Sequence, residues 1–562
     1  MTQSTGDSAQ RARPSLLADA RTSMSDLVLL VVGESRMAQL GWATEIALVA
    51  ATNLLILRSV NQALGAKPNT FAPLGAMLSF GLGVALQWWM LRRLSRRVLE
   101  SMNQGVSAIT KRILSAMGRL DLEQFESVGR DQIMARLSSD ASRIVPSSNV
   151  LIQLLVSAVT VGLSTFYVAT LSPAAALLSL LGMIGIALVT LRINQQVMEQ
   201  IRRDQAIQRR MQEPIDDLLS GFKQLKQHRP RSEAVAMSFD HAAHELQVSR
   251  DSYHAAFYAR DTLGRQAFFG LLGATSFLLP LVVPEVASQV GQLMVSITFI
   301  FRPVTTVVMA IPILAQIGSA WQRLTALSVR LDAMASVTAE SGVTPRSFSQ
   351  LTLRKVTFQY PRLGEGDSFS VGPLTLELLP GEVVFVTGAN GSGKSTFVKL
   401  LCGLYRRHGG DLLVDGVVHP VDPGPGWRSR FATVFAEFAL FEQLYGMEDI
   451  APAQVEALLV QMELAHKVRF ENGRFSTVEL STGQRKRLAL VIALLSDRPI
   501  YVFDEWAADQ DPHFREAFYR RFLPELKALG KTVVAVTHDD DAFDACDRRF
   551  HFEGGHMEQV AK

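Results

Sequence analysis

Long apolar runs fill the first 320 positions of the chain, and short alternating stretches replace them afterwards. A helix of about 20 apolar residues spans the hydrocarbon core of a bilayer. Six stretches meet that requirement: Leu40–Ala63, Phe71–Leu91, Val150–Leu171, Ala174–Leu191, Ala267–Val283 and Val290–Ile317. Short linkers (Leu64–Thr70, Ser172-Pro173 and Pro284–Gln289) join them in pairs, and long basic stretches separate the pairs. The first long stretch carries Arg92, Arg93, Arg96, Arg97, Lys111, Arg112 and Arg119; the second carries Arg192, Arg202, Arg203, Arg209 and Arg210. Positive charge marks the cytoplasmic side, so the long stretches face inward and an even number of spans returns the chain to the cytoplasm.

Within the long stretches, apolar residues recur at helical spacing in Ile109, Ile113, Met117 and Leu120, and again in Ile215, Leu218, Leu219 and Phe222. This predicts spans that continue into the cytoplasm and turn back through short transverse helices near Asp121–Gly129 and Gln212–Leu219. Residues 1–24 read as a polar cytoplasmic N-terminus with no cleaved signal, and Asp26–Gly33 as an interfacial helix. The helical membrane domain is placed at 25–326, a linker with Gly342 and Pro345 at 327–350, and a domain of alternating strands at 351–562.

A mean hydropathy of +0.17 and 19% charged residues fit this division. A net charge of +3 over 562 residues gives no reason to expect nucleic acid as a partner. Two cysteines, Cys402 and Cys546, provide no disulfide framework and fit a reducing cytoplasm.

The second half carries the chemistry. Val383–Thr387 is a strand-like run, Gly388-Ala389-Asn390-Gly391-Ser392-Gly393-Lys394-Ser395-Thr396 a glycine turn, and Phe397 opens a helical pattern. In that context backbone N–H groups converge on phosphate oxygens, Lys394 reaches the outer phosphates, and Ser395 can ligate Mg²⁺. Leu480-Ser481-Thr482-Gly483-Gln484 precedes a second helical run and offers another anion site at a helix start. A buried-strand run ends in Asp504 and Glu505, suited to hold Mg²⁺ and to polarise an attacking water, and a third strand ends in His538. Tyr360, at the end of a strand upstream, is placed to stack on a purine base. A capping serine, a surface acid pair or a strand-end histidine is the structural alternative for each residue alone. Their order and spacing favour a nucleoside triphosphate site.

Those motifs resemble the ATP-binding-cassette (ABC) exporters along the whole chain. The resemblance implies a multi-domain membrane protein, an all-α six-helix domain of the type IV exporter kind fused to an α/β P-loop nucleotide-binding domain. It implies ATP and Mg²⁺ as cofactors, Gly388–Thr396 as the Walker A loop, Leu480–Gln484 as the signature, Asp504 as the Walker B aspartate and Glu505 as the catalytic glutamate. Tyr360, Asp511 and His538 take the adenine, D-loop and switch positions. Two departures stand out. Thr482 replaces a signature glycine, and Ala436 stands where the family has a metal-ligating glutamine; Glu437 beside it offers a substitute oxygen ligand. The wording of Asp504–Pro512, Leu523–Lys527 and Thr537–Asp540 is similar to exporters of cyclic peptides and peptide siderophores, of the pyoverdine, syringomycin and microcin types. No cysteine-protease domain precedes the spans, so leader cleavage is not expected.

The expected protein is a homodimer in the bacterial inner membrane, with its ATPase domain cytoplasmic and a peptide-like small molecule as cargo. The alternatives are a siderophore importer or lipid flippase on the same scaffold, and an ATP-gated channel or regulator without cargo. Polar residues inside the spans are the cargo candidates: Glu45, Asn53, Arg58, Gln62, Gln153 and Arg302. Arg58 and Gln62 share a helical face by their spacing.

Overall fold

The computed structural model describes residues 36–65, 72–335, 347–360 and 369–561. The expectations for 1–24 and for Asp26–Gly33 lie outside those residues. The chain forms two units: Met1–Leu114 with Asp131–Arg330, and Ser115–Arg130 with Leu331–Lys562.

Among the helices before the second unit's sheets are α1 (Arg36–Leu64), α2 (Ala72–Met117), α3 (Leu122–Val128), α4 (Ser148–Leu171), α5 (Pro173–Ser220), α6 (Phe222–Gln227), α7 (Arg229–Gly273) and α8 (Val290–Met334). Beyond Gly273 the chain stays helical through a wider turn to Val282. Among the described residues five helices are long and apolar enough to cross a membrane, and α5 opens with a shorter apolar stretch, Pro173–Val189. Apart from Phe71, which lies outside the described residues, and Val283, which ends the extension of α7, the six expected spans fall within α1, α2, α4, α5, α7 with its extension, and α8. Start signals are local: the Ser172 hydroxyl accepts from the Ala175 N–H at 3.3 Å, and Pro173 takes the first helical position, where a missing N–H costs nothing.

Two expectations are corrected. The second transverse helix is not at Gln212–Leu219, because α5 runs on through Pro214 and ends at Gly221; the short helix that follows is α6. Likewise α8 continues to Met334, past the position expected for the linker's start.

Polar groups inside the first unit largely satisfy one another, as the absence of water in a bilayer demands. The side chain of buried Asn61 donates to Ser296 Oγ at 2.8 Å, and its backbone carbonyl accepts from Gln292 at 2.9 Å. Asp140 receives Arg323 at 2.7 Å and Arg136 at 3.0 Å.

The second unit is a layered α/β domain. Its strands are β1 (Leu351–Gln359), β2 (Ser370–Leu378), β3 (Val383–Gly388), β4 (Gly409–Val414), β5 (Val417–Val418), β6 (Phe431–Val434), β7 (Phe470–Glu471), β8 (Arg474–Phe475), β9 (Ile500–Asp504), β10 (Thr532–Val536), β11 (Arg548–Glu553) and β12 (His556–Val560). An antiparallel sheet has the order β2-β1-β4-β5, a second sheet the order β12-β11-β3-β10-β9-β6, and β7 pairs with β8. In the second sheet β11, β3, β10, β9 and β6 run parallel. Their near-continuous apolar runs fit burial on both faces.

The two-residue period of a strand distributes those side chains between two cores. Val383, Phe385, Tyr501, Phe503, Val533 and Ala535 enter one core, with the helix α10 (Thr482–Leu495). Val384, Val386, Ile500, Val502, Val534 and Val536 enter the other, with α9 (Lys394–Leu401), which lies between β3 and β4 in the chain. The carboxyl ends of β3, β9 and β10 therefore come side by side, each carrying the start of one functional segment.

Candidate functional site

The chain leaves β3 at Gly388 with φ 142°, where an added Cβ would come 2.4 Å from the Phe552 carbonyl oxygen. Only glycine fits there. Ala389, Asn390 and Gly391 form the exposed tip of the turn, Ser392 and Gly393 are buried, and Lys394 opens α9 with 5% exposure. Lys394 Nζ donates to the carbonyls of Gly388 at 2.8 Å and Ala389 at 3.0 Å, so the ammonium is folded against its own loop. Burial holds it below the usual lysine range, opposed by the charges of Glu505 and Asp504. The Tyr360 hydroxyl lies 2.9 Å from Thr396 Oγ1, which ties the expected base-stacking ring to the same loop.

Asp504, at the end of β9, is 3% exposed. Burial pushes its carboxyl above the usual carboxylate range, Glu505 adds to that, and hydrogen bonds from the Ala436 backbone N–H and the Ser395 hydroxyl, with Lys394, oppose it. One oxygen, Oδ1, is buried with no hydrogen-bond partner. An orphaned carboxylate oxygen beside a hydroxyl is a donor set that suits a hard divalent cation, so Ser395 and Asp504 fit Mg²⁺. Position 436 does reach this site, through its backbone. Glu437, one residue further on, is exposed, and among the described residues no hydrogen bond or ion pair links it to Ser395 or Asp504.

Glu505 adopts φ 51°, a costly conformation for a side chain of its size. The bend puts its Oε1 3.4 Å from His538 Nε2 and 4.0 Å from Lys394 Nζ. Two groups that sequence reasoning missed hold this corner. Lys486 of α10, 3% exposed, donates to the Glu505 carbonyl at 2.5 Å and pairs with Asp509 at 2.7 Å. The Tyr519 hydroxyl contacts Thr537 Oγ1 at 2.6 Å and donates to Asp539 at 2.7 Å, steadying the strand end that carries His538. A lysine in a signature helix and a tyrosine far from any motif carry no local signal.

At the start of α10 the Ser481 N–H donates to Gln484 Oε1 at 3.4 Å, and Ser481 and Thr482 are exposed. Gly483 packs so closely on the next segment that a Cβ would sit 2.8 Å from the Asp509 carbonyl oxygen, whereas the Thr482 side chain stands in solvent. Asp511 caps the following helix, Pro512–Ala517, by accepting from the Phe514 N–H at 3.0 Å. Among the described residues no hydrogen bond or ion pair joins Ser481–Gln484 to Gly388–Thr396.

Gly388–Thr396, Leu480–Gln484, Asp504 and Glu505 all lie inside residues 371–508, the stretch that matches the family described as ABC transporter. Nod factor export ATP-binding protein I of Rhizobium etli is 32% identical over 223 residues, covering 37% of this chain and 69% of that protein. The chain belongs to the ABC transporter family. Its second unit is the ATP-binding domain. ATP-binding protein SyrD of Pseudomonas syringae pv. syringae is 35% identical over 346 residues, 59% of this chain; the match spans 61% of SyrD's own length. Across both units the fold is that of a bacterial Atm1-family ABC exporter solved with ATP bound, with a TM-score of 0.71, 17% identity, and 93% and 94% of the two chains covered.

In this ABC transporter the ATP-binding unit also includes the early segment Ser115–Arg130. Asp121 caps α3, is 6% exposed, forms an ion pair with Arg406 and accepts a hydrogen bond from Arg428 at 3.3 Å, while Glu126 receives the Tyr405 hydroxyl at 2.6 Å and Lys399 of α9 at 3.2 Å. The first transverse helix is therefore where it was expected, with partners the sequence did not point to. Of the six cargo candidates, Gln153 and Arg302 line one cavity in the helical unit. Glu45 instead pairs with Arg93 at 3.4 Å and with Arg97. Asn53 bonds to Thr160 at 3.1 Å and Gln87 at 2.5 Å. Arg58 and Gln62 are exposed on α1 and do not line that cavity.

Proposed function

We propose that this chain is an ATP-driven exporter of a peptide-like small molecule across the bacterial inner membrane, working as a homodimer. The observation that carries the reading is the convergence of Glu505, His538 and Lys394 at the ends of three neighbouring strands, in a chain whose fold matches an exporter over nearly its whole length. The wording of Asp504–Pro512, Leu523–Lys527 and Thr537–Asp540, similar to exporters of cyclic peptides and peptide siderophores, supports a peptide-like cargo.

ATP enters as substrate at the loop that β3 presents. Lys394 exchanges the Gly388 and Ala389 carbonyls for phosphate oxygens, and Tyr360 offers its ring to the base. Ser395 and Asp504 would hold Mg²⁺, which would supply charge neutralisation at the phosphates. Glu505 orients a water and accepts its proton as the bond to the terminal phosphate breaks; His538, within contact of the same carboxylate, senses that phosphate. The exposed signature at Ser481 is free to meet the phosphate loop of a second copy, and a two-fold pair supplies two such sites. Closing and opening of the pair would alternate access to the membrane cavity.

Inside-out vesicles carrying the full chain test this. Accumulation of an acyl peptide that requires ATP, and is lost in Glu505→Gln, supports export. Uptake in right-side-out vesicles alone, or ATP turnover with no movement of any peptide, overturns it.

A further inference from the structure

Lys486 is an unusual residue for its place. It lies in the first half of α10, beside Leu488, Leu490 and Val491 of the core, and its own side chain is as buried as theirs. A buried ammonium is costly unless its donors are matched. Two acceptors meet it, the Glu505 main-chain carbonyl at 2.5 Å and the Asp509 carboxylate at 2.7 Å. They do not weigh equally. The Asp509 side chain is 48% exposed, so water solvates that carboxylate and screens the pair. Asp509 aims the ammonium, and the short, charge-assisted bond to the carbonyl is what the burial serves.

That carbonyl belongs to a strained residue. A side chain at φ 51° stays there only where its surroundings fix it from more than one direction. Both peptide groups of Glu505 are held: its N–H donates to the Val536 carbonyl of β10 at 3.2 Å, and its C=O accepts from Lys486. Rotation toward negative φ would break one of those two bonds. The carboxylate would then leave its place 3.4 Å from His538 Nε2 and 4.0 Å from Lys394 Nζ. The residues after Glu505 are fastened to the same helix. Trp506, 1% exposed, donates from Nε1 to the Lys486 carbonyl at 2.8 Å, and Gln510 donates from Nε2 to the Gly483 carbonyl at 3.1 Å. Of these ties, only the Lys486 ammonium reaches Glu505 itself.

We infer that Lys486 is a positioning residue for ATP hydrolysis: by holding the Glu505 carbonyl, it keeps the carboxylate at the corner shared with His538 and Lys394. Lys486 acts only through Glu505. The inference rests on the reading of Glu505 as the group that activates water, and it names the residue that sets that group's direction.

Phosphate release at saturating ATP and ATP affinity, both measured on the full chain in detergent, test it. Lys486→Met keeps the length of the side chain and removes its charge and donors. It should lower kcat about 10- to 100-fold and leave ATP affinity within about twofold. Lys486→Arg, which restores charge and donor, should recover most of that loss. In a Glu505→Gln background, Lys486→Met should lower turnover no further, because there is no carboxylate left to place. A merely structural role gives the opposite pattern, with affinity and turnover falling together and the loss repeated in that background. Either of those results overturns the inference, as does parental kcat in Lys486→Met. Asp509→Asn, at an exposed side chain, carries the test if the Met variant does not fold. It should lower kcat about 2- to 5-fold at unchanged affinity and have no effect in Glu505→Gln, and equal losses in both backgrounds overturn the inference. Parental turnover in Glu505→Gln itself would instead overturn the reading of Glu505.

Discussion

The two units handle polar groups in opposite ways. In the ATP-binding unit the functional side chains are delivered by local geometry: a buried strand, a turn, a helix start. Gly388, Asp504 and His538 each stand at or just beyond the end of a parallel strand, and the pairing of β3, β10 and β9 brings them together. In the helical unit a polar side chain is placed by whichever helix faces it. Asn61 meets Ser296 across 235 positions and Asn53 meets Thr160 across 107. The first arrangement prepares groups for a ligand; the second mostly uses groups up on each other, and what it leaves over is informative.

The sharpest break between the units is Glu505→Gln. ATP hydrolysis should fall about 10²- to 10⁴-fold with nucleotide binding retained, measured by phosphate release and by nucleotide affinity. Parental turnover in that variant would remove Glu505 from its assigned role. Phe503→Ala comes next, since this side chain is fully buried in the core that backs the same strand. It should cost about 3–5 kcal/mol and lower the thermal midpoint of the full chain in detergent, and a shift of less than a degree would contradict the two-faced core.

Asn53→Ala in the helical unit is a milder change. The expected cost is about 0.6 kcal/mol, with acyl-peptide affinity unaltered, and altered affinity would bring Asn53 back among the cargo residues. The smallest effect is a null one. Burial pushes the Cys402 thiol up to about 12, so it stays protonated through neutral pH and is blocked sterically as well. Maleimide at pH 8 should leave it unmodified in the native chain and label it once the chain is denatured; native labelling would show that the loop-facing core opens.

The same contrast explains what was legible in the sequence. Strand, turn and helix start at Gly388–Thr396 could be read because every residue involved is a near neighbour of the others, and the spans could be read because lipid imposes one rule on all of them. Helix ends were harder. Apolar periodicity through Ile215, Leu218 and Leu219 marks a helix and says nothing of where it stops, so the turn at Gly221 was placed too early. The acids that engage α9 and its neighbours, Asp121 and Glu126, could not be read at all. Their partners Arg406, Arg428 and Tyr405 lie about 280 to 307 positions away and belong to no motif. Lys486 and Tyr519 are illegible for a different reason: their hydrogen-bond partners Glu505, Thr537 and Asp539 lie only 18 to 20 positions away, but no local pattern marks either residue.

The distance between Asp121 and Arg428, 307 positions, also sets a timetable. At the pace of bacterial synthesis the early segment is made roughly 15–60 s before the arginine it will pair with. During that interval the carboxylates of Asp121 and Glu126 and the apolar Leu122 have no partners to receive them. The ATP-binding unit therefore cannot close around its early segment until the chain has been made through Arg428. A chain truncated before Arg406 would leave that early helix waiting, a ready mark for the proteases that clear unfinished transporters.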